Sequence, residues 1–263
     1  MNLANSRLFY RHFIQRPKLR RFVTRLIEGD KDIVVDLFGA PVTLNTVKEH
    51  GYLRASRSLQ KVSLLRDELP VLMNLAQLLA DGDTFVDIGA NVGLFTCLLA
   101  RRGLLYPGRN RFYALEANPD TFSRLSRSVA SLGVTLFPFA ASDKDGELEF
   151  VAGAASGVFT TSDRQTSANI AEERIRIPCR RLDGLELAGD RLVIKIDVEG
   201  QERSVIDGTS GLFAANRVKV VYFDGFADRS LFDYLSGLGF RLLDGRSAQP
   251  ATRETYSLLA IKD

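Results

Sequence analysis

The chain has 263 residues, 35 Lys or Arg against 32 Asp or Glu, a formal charge of +3 and a 45% apolar share. These values are ordinary for a globular protein and exclude collagen-like, low-complexity and disordered chains. Two cysteines and two histidines exclude a disulfide framework and a His-rich metal site, and they fit a reducing, cytoplasmic location. No apolar run approaches the roughly 18 residues of a membrane span.

The positive charge is concentrated at the N-terminus. Residues 1–27 hold seven basic residues and no acidic one, so the rest of the chain is net negative. Apolar residues recur at helical spacing after Pro17, with the basic residues off their stripe: Leu19, Phe22, Val23, Leu26 and Ile27. We expect a helix that packs this stripe on the protein body. Peripheral membrane contact through 1–27 and a mitochondrial transit peptide are the alternatives for such a basic segment.

The segment before the first glycine-rich turn predicts a cap. Residues 31–44 alternate around a Gly-Ala-Pro turn, which is typical of a β-hairpin. Pro70 is expected to open a helix that Gly82 ends. We therefore divide the chain into a basic-helix and hairpin cap over 1–67 and a main region over 68–263.

Strands and helices then alternate. The predicted strands are Thr84–Gly89, Arg111–Ala117, Val134–Ala140, Arg191–Val198, Val218–Phe223, Phe240–Asp244 and Tyr256–Lys262. The predicted helices are Leu94–Arg102, a segment that begins at Pro119 and ends before Gly133, and Asp228–Leu238. Because no helix separates the last two strands, we expect an α/β fold with a doubly wound, mostly parallel sheet and an antiparallel C-terminal edge strand.

Two further alternating strands, Glu147–Val151 and Arg174–Cys179, lie outside this pattern. The segment between them, Ala152–Glu172, is rich in small and polar residues. We expect a surface loop there, and a length of roughly 21 residues favours a functional lid.

The sequence TFVDIGANVG, which ends at Gly93, predicts a strand, a tight turn and the start of a helix. In open α/β sheets, ligands bind outside the carboxyl ends of the strands. Gly89 lets the backbone turn sharply, Gly93 lets the helix approach the strand, and Asn91 can donate and accept hydrogen bonds at the turn. Plain packing between strand and helix is the alternative explanation for the two glycines.

Glu116 ends the next strand, 23 residues after Gly93. A carboxylate there offers two oxygens to the two hydroxyls of a ribose, although a solvated strand end is the alternative. The dinucleotide fingerprint G-x-G-x-x-G is incomplete, because Asn91 and Leu94 occupy its second and third glycine positions, and no P-loop Lys-Ser/Thr pair follows. A ligand with a ribose and no phosphate, such as S-adenosylmethionine, fits better.

Polar residues also follow the third and fourth strands. Asp143, after Ser142, can accept a hydrogen bond from an adenine amino group, or it is simply a turn residue in SDKDG. In RLVIKIDVEG, Lys195, Asp197 and Glu199 alternate with apolar residues and are expected to share one face. They form either a buried ion pair or the wall of a reaction cleft, because unpaired charges in a central strand are costly.

With these residues in view, the chain resembles FkbM-type S-adenosylmethionine-dependent methyltransferases. The matching pieces run in the family's order over roughly residues 68–245: DELPVLMNLAQLLADGDTFVDIGANVG, LEANP, AASDKDG, CRRLDGL and IKIDVEGQE. One departure concerns the end of the fifth strand, where the family often has Glu and VVYFDG places Asp224.

The resemblance implies a seven-stranded Rossmann-like fold in 68–263, S-adenosyl-L-methionine as cofactor, and methylation of a hydroxyl oxygen of a sugar, polyketide or similar small metabolite. It implies cofactor binding by Asp87, Gly89, Ala90, Asn91, Gly93, Glu116, Ser142 and Asp143. An alcohol nucleophile benefits from a base, and Asp197 and Glu199 are the candidates, with Lys195 holding their orientation and charge. No metal ligand is expected.

Three alternatives remain open. A nucleic-acid methyltransferase would use the basic N-terminus. Methylation of base amino groups needs an Asn/Asp-Pro-Pro-aromatic turn after the fourth strand, and IDVEG is not that turn. Methylation of a cytosine carbon needs a cysteine nucleophile near the same place, but Cys179 precedes the fourth strand. A non-catalytic protein would keep the fold and lose the cofactor. Asp197, Glu199 and Asp224 could also hold Mg²⁺. The acceptor and the oligomeric state are not encoded in any motif.

Overall fold

The computed structural model describes residues 17–57, 63–105, 110–152, 159–161, 173–225 and 228–262. The first half contains helix α1 (Pro17–Glu28), the hairpin β1 (Asp32–Leu37) and β2 (Ala40–Asn45), α2 (His50–Arg57), α3 (Ser63–Leu78), β3 (Thr84–Ile88), α4 (Leu94–Leu105), β4 (Arg111–Leu115) and α5 (Pro119–Val129). The second half contains β5 (Thr135–Phe137), β6 (Ala140–Ala141), β7 (Gly146–Ala152), β8 (Phe159–Thr161), β9 (Glu173–Arg180), β10 (Leu192–Ile196), α6 (Glu202–Asp207), α7 (Ser210–Ala214), β11 (Val218–Phe223), α8 (Ser230–Gly237), β12 (Arg241–Asp244) and β13 (Leu258–Ile261).

A seven-stranded sheet forms the centre, in the order β12-β13-β11-β10-β3-β4-β5. Neighbours from β11 to β5 pair in parallel, and β13 is antiparallel to both of its neighbours. The predicted doubly wound α/β fold is therefore confirmed. The antiparallel strand, however, is not at the edge: its four residues are all buried, whereas β12 carries the exposed Arg241 and takes the edge position.

The two faces of the sheet bury separate apolar cores because side chains alternate along each strand. Every residue of β3 and β10 is buried. On one face, Phe85 and Val193 pack with the hairpin residues Leu37, Val42 and Leu44. The hairpin of the predicted cap therefore packs on the sheet and shares its core.

A buried ion pair also ties the cap to the sheet layer. Arg124 of α5 donates to Glu49, which lies between β2 and α2, with 3.0 Å between Nη2 and Oε1. Both side chains are buried, and Glu49 also accepts a hydrogen bond from the backbone of Asn45. Removing one partner of such a pair leaves an uncompensated buried charge.

Several predicted boundaries were wrong. Helix α3 begins at Ser63, so Pro70 lies inside the helix instead of opening it. Helix α4 continues through Gly103 to Leu105, because one glycine lowers helix stability by only about 1 kcal/mol. Helices α2, α6 and α7 were not predicted; the last two are only six and five residues long and carry no resolvable periodicity.

The two strands predicted outside the main pattern are confirmed as β7 and β9. With β6 and β8 they form a four-stranded sheet in the order β6-β9-β7-β8. Strand β8 lies within the segment predicted to be a loop, so that prediction was wrong at Phe159–Thr161. The rest of the expected lid, residues 153–158 and 162–172, lies outside the described residues.

Helix α1 contradicts in part the expectation that its apolar stripe packs on the body. Leu19 and Val23 are half-buried, but Phe22, Leu26 and Ile27 are 64%, 76% and 72% exposed. The helix is also attached by polar contacts, such as the ion pair between Glu28 and Arg57. An exposed apolar stripe on a basic helix suits a membrane surface, and peripheral membrane contact stays a prediction. Within the described residues, no helix combines the length and hydropathy needed to cross a bilayer.

Deleting residues 1–27 should lower the melting temperature by only a few degrees and leave cofactor affinity within about twofold, because surface contacts contribute little to stability. Calorimetry and thermal unfolding of the truncated chain measure both. A deletion to residue 45 is the control: it removes the buried Leu37, Val42 and Leu44 and should prevent folding. Loss of the fold on deleting 1–27 alone would contradict the surface placement of α1.

Candidate active site

The carboxyl ends of four neighbouring strands meet at one edge of the sheet. Backbone hydrogen bonds connect each strand end with the next: Gly89 donates to Leu115, Asp197 donates to Ile88, and Asp224 donates to Ile196. Glu116 donates in the same way to the end of β5. Because the strands are parallel, residues far apart in sequence therefore stand side by side at this edge.

Gly89 makes the close approach between β3 and β10 possible. Its φ is +74°, and a Cβ atom there would lie 2.0 Å from the backbone oxygen of Asp197. No side chain fits in that space, so glycine is required both for the turn and for the contact. The turn at the end of β3 is thus set directly against Asp197.

Lys195 is a buried cation beneath this edge. Its side chain is 3% exposed, and Nζ lies 3.2 Å from Oδ1 of Asp87 and 3.3 Å from Oδ2 of Asp197. Nζ also lies 5.2 Å from the centre of the Phe95 ring. Thr96 donates to the other oxygen of Asp87 at 2.7 Å. The sequence pattern had suggested Asp197 or Glu199 as the partner of Lys195, and Asp87 was missed.

The charges of this cluster are strongly coupled. Burial alone would lower the pKa of Lys195, but the carboxylates of Asp87, Asp197 and Asp224 outweigh burial and raise it. Burial raises the pKa of Asp197; Lys195 opposes this shift and Asp224 adds to it. Lys195 therefore stays protonated, and Asp197 holds a proton more readily than an ordinary aspartate.

Glu116 is held by two backbone N–H groups. Oε2 accepts from Asn91 at 2.9 Å, and Oε1 accepts from Asn118 at 2.8 Å. Burial raises the pKa of Glu116 to about 7, although these two hydrogen bonds oppose the shift. Each carboxyl oxygen keeps a second lone pair, so the fixed carboxylate can still accept hydrogen bonds from a ligand.

A cavity of about 290 Å³ opens at this edge. The predicted residues Gly89, Asn91, Glu116, Asp197 and Glu199 line it. Its other described walls include Asp224 and Gln201 beside Asp197, and an apolar end formed by Phe139, Ala140, Ala141, Leu148 and Phe150. The strand-end residues Ile88, Leu115, Ala117 and Val198 complete the lining. Carboxylates thus meet at one end of the cavity and apolar groups at the other.

The remaining predicted residues stand behind the cavity or beside it. Asp87 is fully buried on Lys195, and a Cβ on Gly93 would lie 2.6 Å from Leu125, so Gly93 sets the packing between α4 and α5. Ala90 is buried in the same turn. The buried Ser142 donates to the exposed Asp143 at 3.0 Å, and neither lines the described part of the cavity.

Two acidic groups near the site were missed or left undefined by the sequence. Asp224, noted as a departure from the family pattern and as a possible Mg²⁺ ligand, lines the cavity and accepts from Tyr222 at 3.2 Å. Glu68 of α3 lies in an apolar pocket with Leu72, Leu94 and Phe95. It carried no sequence signal, because its strand-end neighbours are more than 100 residues away.

Metal and thiol chemistry gain no support from the described residues. Among them, no group of three or more His, Cys, Asp or Glu side chains is placed to hold a metal ion. Cys179 is buried in β9 behind the lining residues Ala140 and Phe150 and does not itself line the cavity, and burial raises the pKa of its thiol. A thiol in that state is a poor nucleophile.

The FkbM methyltransferase domain matches residues 87–242, more than half of the chain, and the chain therefore belongs to this family. The family uses S-adenosyl-L-methionine, so the protein is an S-adenosylmethionine-dependent methyltransferase. Over 179 residues it is 26% identical to the hexuronic acid methyltransferase AglP of Haloferax volcanii, a match that covers 65% of this chain and 69% of AglP.

Solved structures with a related chain path include a TehB-like SAM-dependent methyltransferase from Corynebacterium glutamicum, with 12% identity, 81% of this chain and 98% of that chain covered, and a TM-score of 0.39. A SAM-dependent methyltransferase from Agrobacterium tumefaciens matches with 8% identity, 88% and 69% coverage, and a TM-score of 0.42. The strand order and pairing of this chain define its fold.

The cavity fits the cofactor of the family. Oδ1 of Asn91 is buried in its wall and has no hydrogen-bond partner within the described chain, so it is free there to accept a hydrogen bond from a polar ligand atom. Glu116 offers free lone pairs to hydroxyl groups, and the apolar end suits an aromatic base. The residues present can therefore hold an amino group, the ribose and the adenine base of S-adenosylmethionine.

Gly89→Ala should lower cofactor affinity at least tenfold, because the added Cβ pushes the turn away from Asp197. Gly239→Ala is a matched control: its φ is +82°, but nothing lies within 4 Å of the added Cβ. The control should lose only about 1–2 kcal/mol of stability and keep its affinity. Equal affinities in the two variants, measured by calorimetry with S-adenosylhomocysteine, would contradict the close-approach argument.

Glu116→Ala should weaken cofactor binding more than tenfold and leave the protein folded, since a charged hydrogen bond contributes about 1.5–3 kcal/mol.

The wild-type affinity should also fall as the pH drops below about 7, because the carboxyl of Glu116 then gains a proton and loses acceptor capacity. Glu116→Gln should remove this pH dependence. Calorimetry between pH 5.5 and 8.5 decides; unchanged affinity in folded Glu116→Ala would refute the ribose assignment.

Proposed function

We propose that the protein transfers the methyl group of S-adenosylmethionine to a hydroxyl oxygen of a small polyhydroxylated acceptor, such as a sugar. The observation that carries this proposal is Asp197, a carboxylate of raised pKa at the cavity wall, oriented by Lys195. AglP, which is a hexuronic acid methyltransferase by name, supports a sugar-like acceptor.

In this proposal Glu116 and Asn91 hold the cofactor. Glu116 accepts hydrogen bonds from the ribose hydroxyls, and Oδ1 of Asn91 accepts from an amino group. The apolar end formed by Phe139, Leu148 and Phe150 takes the adenine ring. When bound, S-adenosylmethionine supplies a methyl group that its sulfonium already activates. Ser142 and Asp143 stay predicted cofactor contacts at the adenine end.

Asp197 acts as the general base. Its carboxylate accepts the hydrogen bond of the acceptor hydroxyl, aligns that oxygen, and takes the proton when the oxygen gains the methyl group. Lys195 holds Asp197 in place through Nζ at 3.3 Å. The raised pKa of Asp197 makes it a better proton acceptor than an ordinary aspartate, and Glu199 is the alternative base on the same cavity wall.

Labelled cofactor tests the reaction class. Label should enter small hydroxylated metabolites as a methyl ether, which survives mild alkali; a methyl ester on a carboxylate would be hydrolysed. Incorporation into total RNA or DNA instead would favour a nucleic-acid methyltransferase. An absence of S-adenosylhomocysteine binding would favour a non-catalytic protein with this fold.

Asp197→Asn should lower turnover by roughly 10² to 10⁴ with little change in the affinity for S-adenosylhomocysteine, because the amide keeps the size of the side chain and loses its basicity. Glu199→Gln is the matched control and should keep most of the turnover. Turnover, affinity and melting temperature are measured together. Normal activity in Asp197→Asn, or inactivity caused only by unfolding, would transfer the role of base to Glu199.

A further inference from the structure

Within the described part of the chain, the cavity end that holds Asp197 is acidic. Asp197, Glu199 and Asp224 line this end, and Glu116 lines the wall beside it. Among the lining residues that the structure describes, there is no Lys, Arg or His. An acceptor seated here therefore faces four carboxyl groups, and the described lining adds no positive charge.

Lys195 cannot serve an anionic acceptor. It is 3% exposed, it lies beneath the cavity, and its Nζ is already paired with Asp87 and Asp197. The Nζ ammonium has three N–H groups, and Asp87, Asp197 and the backbone oxygen of Gly89 already face it, so an acceptor carboxylate would have to displace one of these three. Asp87 is buried, and leaving it without its cation is costly. Lys195 therefore neutralises the protein's own carboxylates.

A further buried carboxyl, Glu68, adds to the negative field. Its Oε2 is buried and has no hydrogen-bond partner in the described chain, and its pocket is walled by Phe95, over whose ring Lys195 lies. Burial and then the charge of Asp224 raise the pKa of Glu68 to about 8, against the opposing effect of Lys195. Asp197 and the neighbouring Asp67 act in the same direction as Asp224.

The groups of this region thus already resist one more negative charge. The charges of Asp224 and Asp197 act on Glu68, and the charge of Asp224 also acts on Asp197. A carboxylate brought by a substrate would meet the same repulsion. An uncharged polyol or an ammonium group would not.

From this arrangement we infer that the acceptor is uncharged or cationic near the reacting hydroxyl, and that hexuronic acids and other anionic acceptors are discriminated against. The inference rests on the proposed methyl transfer to a hydroxyl and specifies its substrate class. It separates this chain from AglP, which is a hexuronic acid methyltransferase.

Three matched acceptors test the inference: a methyl hexoside, the corresponding uronic acid and its uronamide. With saturating cofactor at low salt, kcat/KM for the hexoside and the uronamide should exceed that for the uronic acid at least tenfold. The uronamide matches the uronic acid in size and shape but lacks its charge and carries an N–H donor group; the hexoside, which is uncharged and has no amide, separates the effect of charge from that of the added donor. A uronic acid that is methylated as well as its amide, or better, would overturn the inference.

Asp224→Asn shows whether the cavity acids cause the discrimination. The ratio of uronamide to uronic acid kcat/KM should shrink at least threefold in this variant, and a general loss of activity cancels in the ratio. Asp190→Asn is the matched control, because Asp190 is exposed at the opposite, amino end of β10. A ratio in Asp224→Asn equal to that of the control would overturn the inference.

A binding measurement tests the negative field at the cavity without any acceptor. It therefore still decides the inference if none of the sugars is methylated and the sugar part of the proposed function fails. It compares S-adenosylhomocysteine, whose sulfur is neutral, with the cofactor analogue that carries an ammonium group in place of the sulfonium methyl. Asp224→Asn should weaken the ammonium analogue at least threefold relative to S-adenosylhomocysteine. Equal changes for both ligands would show that the field at the methyl position is not negative, and would refute the inference.

Discussion

The pairing of Lys195 with Asp87 and Asp197 is the interaction on which the site depends. A lysine enclosed in a parallel sheet is tolerated only when carboxylates compensate its charge. Asp87, fixed from the other side by Thr96, supplies one of them inside the sheet, and Asp197 supplies the other at the cavity wall. Lys195 thus has its buried charge neutralised and at the same time orients Asp197, the proposed base.

Glycine at position 89 follows from this arrangement. Asp197 can stand at the edge only if the turn after β3 passes directly against its backbone, where a Cβ atom would lie 2.0 Å from its oxygen. The turn also presents Asn91, whose N–H group fixes Glu116. One backbone constraint therefore links the group proposed to bind the ribose with the group proposed to take the acceptor proton.

The two ends of the cavity differ in charge and are therefore proposed to bind different parts of the cofactor. The apolar end near Phe139 suits a base, and the acidic end near Asp197 and Asp224 suits the positively charged part of the cofactor. The same acidity limits which acceptors can approach. Cofactor binding and acceptor selection then have one physical origin in this account.

Local patterns were sufficient to predict the fold class, the turn at Gly89 and the strand end at Glu116, because each depends on a short stretch of sequence. Of the two partners of Lys195, Asp197 was suggested because it is only two residues away, but Asp87 was not predictable in this way, because it comes from the neighbouring strand more than 100 residues earlier. Glu68 was missed for the same reason. The stripe of α1 was misjudged because periodicity indicates an amphipathic helix but not which surface covers it.

The most direct test is a crystal structure of the full chain with S-adenosylhomocysteine. Both ribose hydroxyls should lie within hydrogen-bond distance of the Glu116 carboxylate. The sulfur should lie at the end of the cavity that holds Asp197, and Lys195 should still be paired with Asp87 and Asp197. A ribose bound away from Glu116, or a sulfur at the apolar end near Phe139, would contradict this arrangement.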